Sequence, residues 1–202
     1  METKSQIKVA YVGHALSGQA KNDIWALLCA CDDDFYPRLS LRECPDQKKL
    51  LLNDSAPSTL NSSTLNPSTL NPQRPQPRKY FEQILSQEFI LAEDEDGFAG
   101  FMTFRRETSC FALPDLPEAL YMTTVCVDRA KRGRGVMSAL YDCLENEARR
   151  AFGVSVVFTR TWSLNAAQMH TLAKRGYTTD AVLKNDRGPG VDTVYFVRRF
   201  PA

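Results

Sequence analysis

Val125-Cys126-Val127-Asp128-Arg129-Ala130-Lys131-Arg132-Gly133-Arg134-Gly135-Val136-Met137-Ser138-Ala139-Leu140 joins a β-branched run to a helical pattern through two glycines. Residues 120–127 read as a strand, and the apolar positions 136, 137, 140, 144, 148 and 151 keep one helix face. The first amides of such a helix lack internal partners and carry the positive end of its dipole. Gly133 and Gly135 bear no side chain, so a phosphate can come close to those amides. Lys131, Arg132 and Arg134 add positive charge around them. The stretch reads as a pyrophosphate site.

Two familiar nucleotide motifs do not fit it. A P-loop needs Gly-x-x-x-x-Gly-Lys-Ser/Thr, which is absent. A dinucleotide fingerprint needs a third glycine where Ser138 stands, and belongs beside the first strand rather than mid-chain. A basic, solvated helix start without a ligand stays open on two glycines alone.

Outward from this turn the chain alternates strands and helices. Strand patterns cover residues 7–12, 88–92, 98–105, 154–159, 177–183 and 191–198, and helical patterns cover 21–31, about 80–85 and 164–174. The predicted order is β-α-α-β-β-β-α-β-α-β-β, an α/β fold with a mixed central sheet and helices on both faces. One domain over 1–202 is expected. Residues 53–77 differ in kind. Ser-Thr-Leu-Asn recurs at 58–61, 63–66 and 68–71, and Pro57, Pro67, Pro72, Pro75 and Pro77 punctuate the tract. It cannot bury enough apolar surface to offset ordering entropy, so it reads as a disordered insertion.

Composition narrows the function. The net charge of +1 argues against a nucleic-acid partner. The longest apolar runs, 24–30 and 154–158, fall far short of the ~20 residues that span a bilayer, so no membrane role is expected. The N-terminus has no signal-peptide pattern, and a cytoplasmic location is expected. Six cysteines without a second pair at zinc spacing, and two distant histidines, imply reduced thiols and no metal.

The glycine turn resembles the coenzyme A pyrophosphate loop of the GNAT superfamily, Gln/Arg-x-x-Gly-x-Gly/Ala. Arg132 takes its first position and Gly135 its second, while Met137 replaces the last small residue. Asn165, in the run ending Lys174-Arg175-Gly176-Tyr177, is similar to the family's second signature. The resemblance implies an acyl-CoA-dependent N-acyltransferase, with acetyl-CoA or another acyl-CoA as co-substrate. It further implies that backbone of Val125, Cys126 and Val127 pairs with the pantetheine arm. Arg132, Gly133, Arg134, Gly135, Val136, Met137 and Ser138 would hold the pyrophosphate, and Asn165 would hydrogen-bond the cofactor.

The catalytic groups depart from that pattern. Where many relatives carry a Tyr acid this chain has Leu172, which a helical wheel drawn from Asn165 points at the cofactor; His170 falls away from it. Tyr121, Tyr177 and Tyr195 are substitute acids, Glu118 and Asp115 candidate bases, and Thr123 and Thr124 candidate orienting groups. Transfer of acetyl to a small-molecule amine leads. A longer acyl chain, a peptide amine, or a weak acyl-CoA-binding module are the alternatives, and a homodimer is left open.

Overall fold

Alternation of apolar residues on both faces of successive strands requires a sheet covered on two sides. The computed structural model, which describes residues 6–42 and 75–201, has that architecture. The strands are β1 (Lys8–Gly13), β2 (Glu88–Asp94), β3 (Gly97–Glu107), β4 (Ala119–Val127), β5 (Val156–Trp162), β6 (Thr178–Leu183) and β7 (Thr193–Arg199). They form one seven-stranded sheet in the order β1-β2-β3-β4-β5-β7-β6. β4 and β5 are parallel, and the other neighbours are antiparallel.

The helices are α1 (Gly18–Ala30), α2 (Arg78–Ile84), α3 (Val136–Cys143), α4 (Arg149–Ala151) and α5 (Ala166–Lys174). Ser17 opens α1 by accepting a hydrogen bond from the Ala20 amide at 3.1 Å, so the helix starts before the expected residue 21. Its Ile24, Leu27 and Leu28 pack with Tyr80 and Ile84 of α2 against Phe89, Phe101 and Cys126. On the other face, Leu140 and Tyr141 of α3 and Leu172 of α5 pack against Ile90, Met102, Phe104 and Met122. Neighbouring residues of β2 and β3 therefore serve opposite cores, as a period of two demands.

Between α3 and α4 the segment Leu144–Ala148 is π-helical. It carries the buried carboxylate of Glu145, which accepts from Arg175 at 3.0 and 2.7 Å and from Arg198 at 2.5 Å. That charge is paired, which is what makes its burial tolerable. Most of the expected insertion at 53–77 lies outside the described residues. Its last residue, Pro77, is buried and caps α2, accepting from the Phe81 amide at 2.9 Å. Among the described residues no helix is long and apolar enough to cross a membrane, and the described cysteines are free.

Candidate active site

The sheet opens where its two parallel strands part. β4 pairs with β5 only at Leu120–Val157, Tyr121–Phe158 and Met122–Thr159, although both strands run on. Beyond Met122 the β5-facing edge of β4 is therefore left without a partner strand. The Thr159 hydroxyl closes the last paired step by donating to the Met122 carbonyl at 2.9 Å. A cavity of about 510 Å3 fills the gap, lined by every residue from Tyr121 to Val127.

A bulge at Thr123 shapes that wall. Thr103 faces Thr124 while Phe104 faces Met122, so β4 holds one residue more than β3. The extra residue switches the alternation, which places Tyr121 and Cys126 on the same face of the sheet. The Thr123 hydroxyl donates to Gln87 Oε1 and lies 2.8 Å from the Thr103 hydroxyl, which pins the bulge. The Tyr80 and Thr124 hydroxyls lie 2.6 Å apart, tying α2 to the same wall.

At one end of the cavity stands the glycine turn. Gly133 and Gly135 have φ of 77° and 95°, a left-handed backbone that side chains with a Cβ rarely adopt. Gly135 is the N-cap of α3 and brings no side chain to the cap. The helix's first turn, whose amides lack partners within the helix, thus borders the cavity, with Gly133, Gly135, Val136, Met137 and Ser138 lining it. The surrounding cations are already paired. Lys131 Nζ lies 2.5 Å from Asp94 Oδ1, which fastens the turn to the β2–β3 hairpin. Arg134 lies 3.8 Å from Asp94 and 3.7 Å from Asp96. Asp34 joins Arg132 at 2.5 Å and Arg129 at 2.7 Å. The Arg129 bond first, and then Arg132, hold the Asp34 carboxyl down at about 2 against the opposing effect of burial.

The other end is aromatic and cationic. Tyr121 stacks on Phe158 with ring centroids 4.6 Å apart, and Arg105 and Arg160 approach its ring at 5.1 and 5.9 Å. Burial raises the Tyr121 hydroxyl pKa, with the two arginines acting against it. Phe35, Tyr80 and Trp162 complete the walls, with Arg42, Arg160 and Arg187 among them.

The sequence matches the family model described as "Acetyltransferase (GNAT) family" over residues 59–177, more than half of the chain. The chain belongs to the GNAT acetyltransferase family. Solved structures share its fold. A GNAT-family protein from Desulfovibrio desulfuricans superposes with a TM-score of 0.61 at 12% identity, over 96% of this chain and 99% of that one. The ribosomal-protein-S18-alanine N-acetyltransferase of Escherichia coli gives 0.58 at 11% identity, over 98% and 96%. An N-acetyltransferase from Staphylococcus aureus gives 0.57 at 16% identity, over 96% and 99%. No curated protein matches the sequence. As a GNAT enzyme the chain uses acetyl-CoA as its co-substrate.

In this GNAT domain the residues expected at the site divide cleanly. Tyr121, Val125, Cys126, Val127, Arg132, Gly133, Gly135, Val136, Met137, Ser138 and Asn165 all line the cavity, as do Thr123 and Thr124. Arg134 does not line it, because it turns to Asp94 and Asp96. Glu118 stays outside as well, paired with Arg106 at 3.0 Å on the surface. Tyr177 is buried against Tyr141 with rings 6.2 Å apart, and burial pushes its hydroxyl pKa well up. Tyr195 is likewise buried, its hydroxyl accepting from Arg160 at 3.2 Å.

Leu172 needs the clearest correction. It is fully buried in the core and does not line the cavity, whereas Ala167, Gln168 and Thr171 do. Asn165 is the N-cap, with φ −85° and ψ 67°, so a helical wheel cannot be run back through it. Its Oδ1 accepts from the Gln168 amide at 3.2 Å and its Nδ2 donates to Thr161 at 3.1 Å. Asn165 thus opens α5 beside the cavity. His170 is exposed, as the wheel suggested. The residues that sequence reading missed are Arg42, Arg160, Trp162 and Arg187, which local pattern does not mark as a group.

Proposed function

We propose that this chain transfers the acetyl group of acetyl-CoA to the amine of a small molecule. The observation that carries the reading is the parting of β4 from β5 beside a glycine-opened helix. Amides at Gly133–Ser138 suit a pyrophosphate, and the unpaired edge of β4 at Val125–Val127 suits the amide groups of a pantetheine arm. The thioester then lies near the Thr123 bulge, with the amine entering from the Tyr121 end.

The amine nitrogen attacks the thioester carbonyl, a C–N bond forms and the C–S bond breaks. The electron pair leaves on sulfur, and the nitrogen loses a proton to water. Of the tyrosines suggested as acids, Tyr121 alone lines the cavity, and its raised pKa keeps it protonated at neutral pH. We assign it the donation of a proton to the departing thiolate. Among the described residues, the carboxylate that lines the cavity is Asp34, held by two arginines, so the amine enters already deprotonated.

The test is release of free thiol from acetyl-CoA in the presence of a panel of amines, with the acetylated product identified by mass. Acetylation of at least one small amine is expected. Tight coenzyme A binding without transfer to any amine would reject the reading.

A further inference from the structure

Three guanidiniums from distant parts of the chain meet at the Tyr121 end of the cavity. Arg42 follows the turn at Leu39–Leu41, Arg160 lies in β5, and Arg187 lies between β6 and β7. Arg42 and Arg187 donate to the same oxygen, the Tyr36 carbonyl, so their cationic heads are neighbours. Among the described residues their remaining hydrogen bonds go to neutral acceptors: Arg42 Nε to the Pro37 carbonyl and Arg187 Nε to the Thr193 hydroxyl, each at 3.0 Å. Among the described residues, the acids that act on them most accept hydrogen bonds from other groups. Asp32 accepts from Ser40 twice at 2.7 Å, and Asp186 accepts from Thr193 at 2.6 Å.

Such crowding of like charge is costly. The Arg187 pKa is pulled down to about 9, by burial first and then by the charges of Arg42 and Arg160. Arg42 is lowered by the same causes, burial ahead of Arg160. An oxyanion beside the Arg42 and Arg187 heads would relieve that repulsion and accept charge-assisted, forked hydrogen bonds. Aromatic rings flank the heads, with Arg187 5.6 Å from Trp162 and Arg42 5.7 Å from Tyr80.

We propose that this cluster is a subsite for an anionic group on the acceptor, so that the substrate is a compact amino acid or amino phosphonate. The proposal rests on the acyl-transfer reading above and names its substrate class. Positive charge near an ammonium favours its neutral form, so the amine is delivered able to attack.

The experiment has two independent arms. In the first, acetyl-CoA is held saturating while L-phenylalanine and L-methionine are each compared with their amides, and 2-aminoethylphosphonate with ethylamine. The anionic member of a pair is expected to win by about a hundredfold in kcat/KM. Arg187→Gln should erase that margin through KM, Arg187→Lys should restore part of it, and coenzyme A affinity should hold. If Arg187→Gln does not fold, Arg42→Gln serves in its place. The carboxylate and phosphonate pairs show which oxyanion is preferred.

The second arm needs no turnover. Trp25→Phe leaves Trp162 as the sole tryptophan, beneath Arg187, and N-acetyl-L-phenylalanine should shift its fluorescence while the corresponding amide does not. Amines acetylated without regard to charge would overturn the anion subsite and leave acyl transfer standing. Anion binding at Trp162 with no acetylation of any amine would keep the subsite and reject acyl transfer. A flat fluorescence titration together with no charge preference ends the proposal.

Discussion

The two ends of the cavity are made of different material. At the end proposed for the cofactor the groups offered to a ligand are backbone amides, presented by two left-handed glycines and the first turn of α3. Consecutive residues supply them. At the end proposed for the acceptor the groups are side chains, Arg42, Tyr80, Tyr121, Arg160, Trp162 and Arg187, drawn from five separate segments. Backbone amides cannot be exchanged without rebuilding the loop, whereas a side chain can be replaced singly. The division suits an enzyme whose co-substrate is fixed and whose acceptor is chosen by the particular chain.

The comparison breaks most visibly at Gly135. In Gly135→Val the added Cβ meets little of the protein itself, with Ile7 Cδ1 its nearest neighbour at 3.7 Å. The damage is therefore to the ligand's approach and to the left-handed backbone at φ 95°. Coenzyme A affinity should fall about a thousandfold, roughly 4 kcal/mol by calorimetry. Binding of N-acetyl-L-phenylalanine at Trp162 should persist. Loss of both would show that the two ends are one unit.

Leu172 belongs to neither end, and its replacement sharpens the boundary. Leu172→Ala opens a void in the core beneath α5 and should cost roughly 3 kcal/mol of stability in denaturant titration. Coenzyme A affinity and the KM of the amine should stay within about twofold, as expected of a residue that touches neither ligand. A large change in either constant would return Leu172 to the site.

What could be read from sequence follows the same division. Gly133, Gly135 and the helix after them announce themselves because the turn and the amides it frees are local. Arg134 lies in the same run, yet its direction is set by Asp94 and Asp96 on a hairpin distant in sequence. Arg42, Arg160 and Arg187 are separated by more than twenty residues each, and only the tertiary fold brings them together. The strand expected over 154–159 stops at Thr159. Pairing with β7 carries it on to Trp162, opposite Thr193, and that extension is what brings Arg160 and Trp162 to the cavity. The bulge at Thr123 leaves no mark in the β-branched run Thr123-Thr124-Val125, since its cause is register against β3.

Tyr121 belongs to the aromatic end, yet its proposed role is toward the departing thiolate of the co-substrate. Tyr121→Phe keeps the stack on Phe158 and removes only the hydroxyl. If that hydroxyl protonates the thiolate, single-turnover transfer should slow by about tenfold to a hundredfold, with coenzyme A affinity unchanged. The effect belongs at the low end, because a thiol of pKa near ~8.5 leaves fairly well without help. A rate within twofold of the parent would mean that water protonates the thiolate, leaving Tyr121 as a wall.

The smallest effect is expected from Asp34, the carboxylate that neutralises the cofactor end. Its pKa of about 2 in the folded chain lies below its unfolded value, so its ionised form stabilises the fold. That contribution is complete above about pH 4 and disappears as pH falls toward 2, leaving no dependence on Asp34 between pH 5 and 8. Arg129 and Arg132 are each about half exposed, at 52% and 46%, so solvent screens the pairs. Asp34→Asn should therefore cost less than about 1 kcal/mol at pH 7 and flatten the acid limb of stability between pH 4 and 2. It also leaves the Arg132 guanidinium without its carboxylate, free to turn toward a bound phosphate. Coenzyme A affinity in the Asp34→Asn variant should then rise slightly at low salt and return to the parent value at high salt, where exposed charges are screened. A fall in affinity at every salt concentration would show instead that Asp34 orients Arg132 for the ligand, and that the cofactor end depends on a side-chain brace as well as on its backbone.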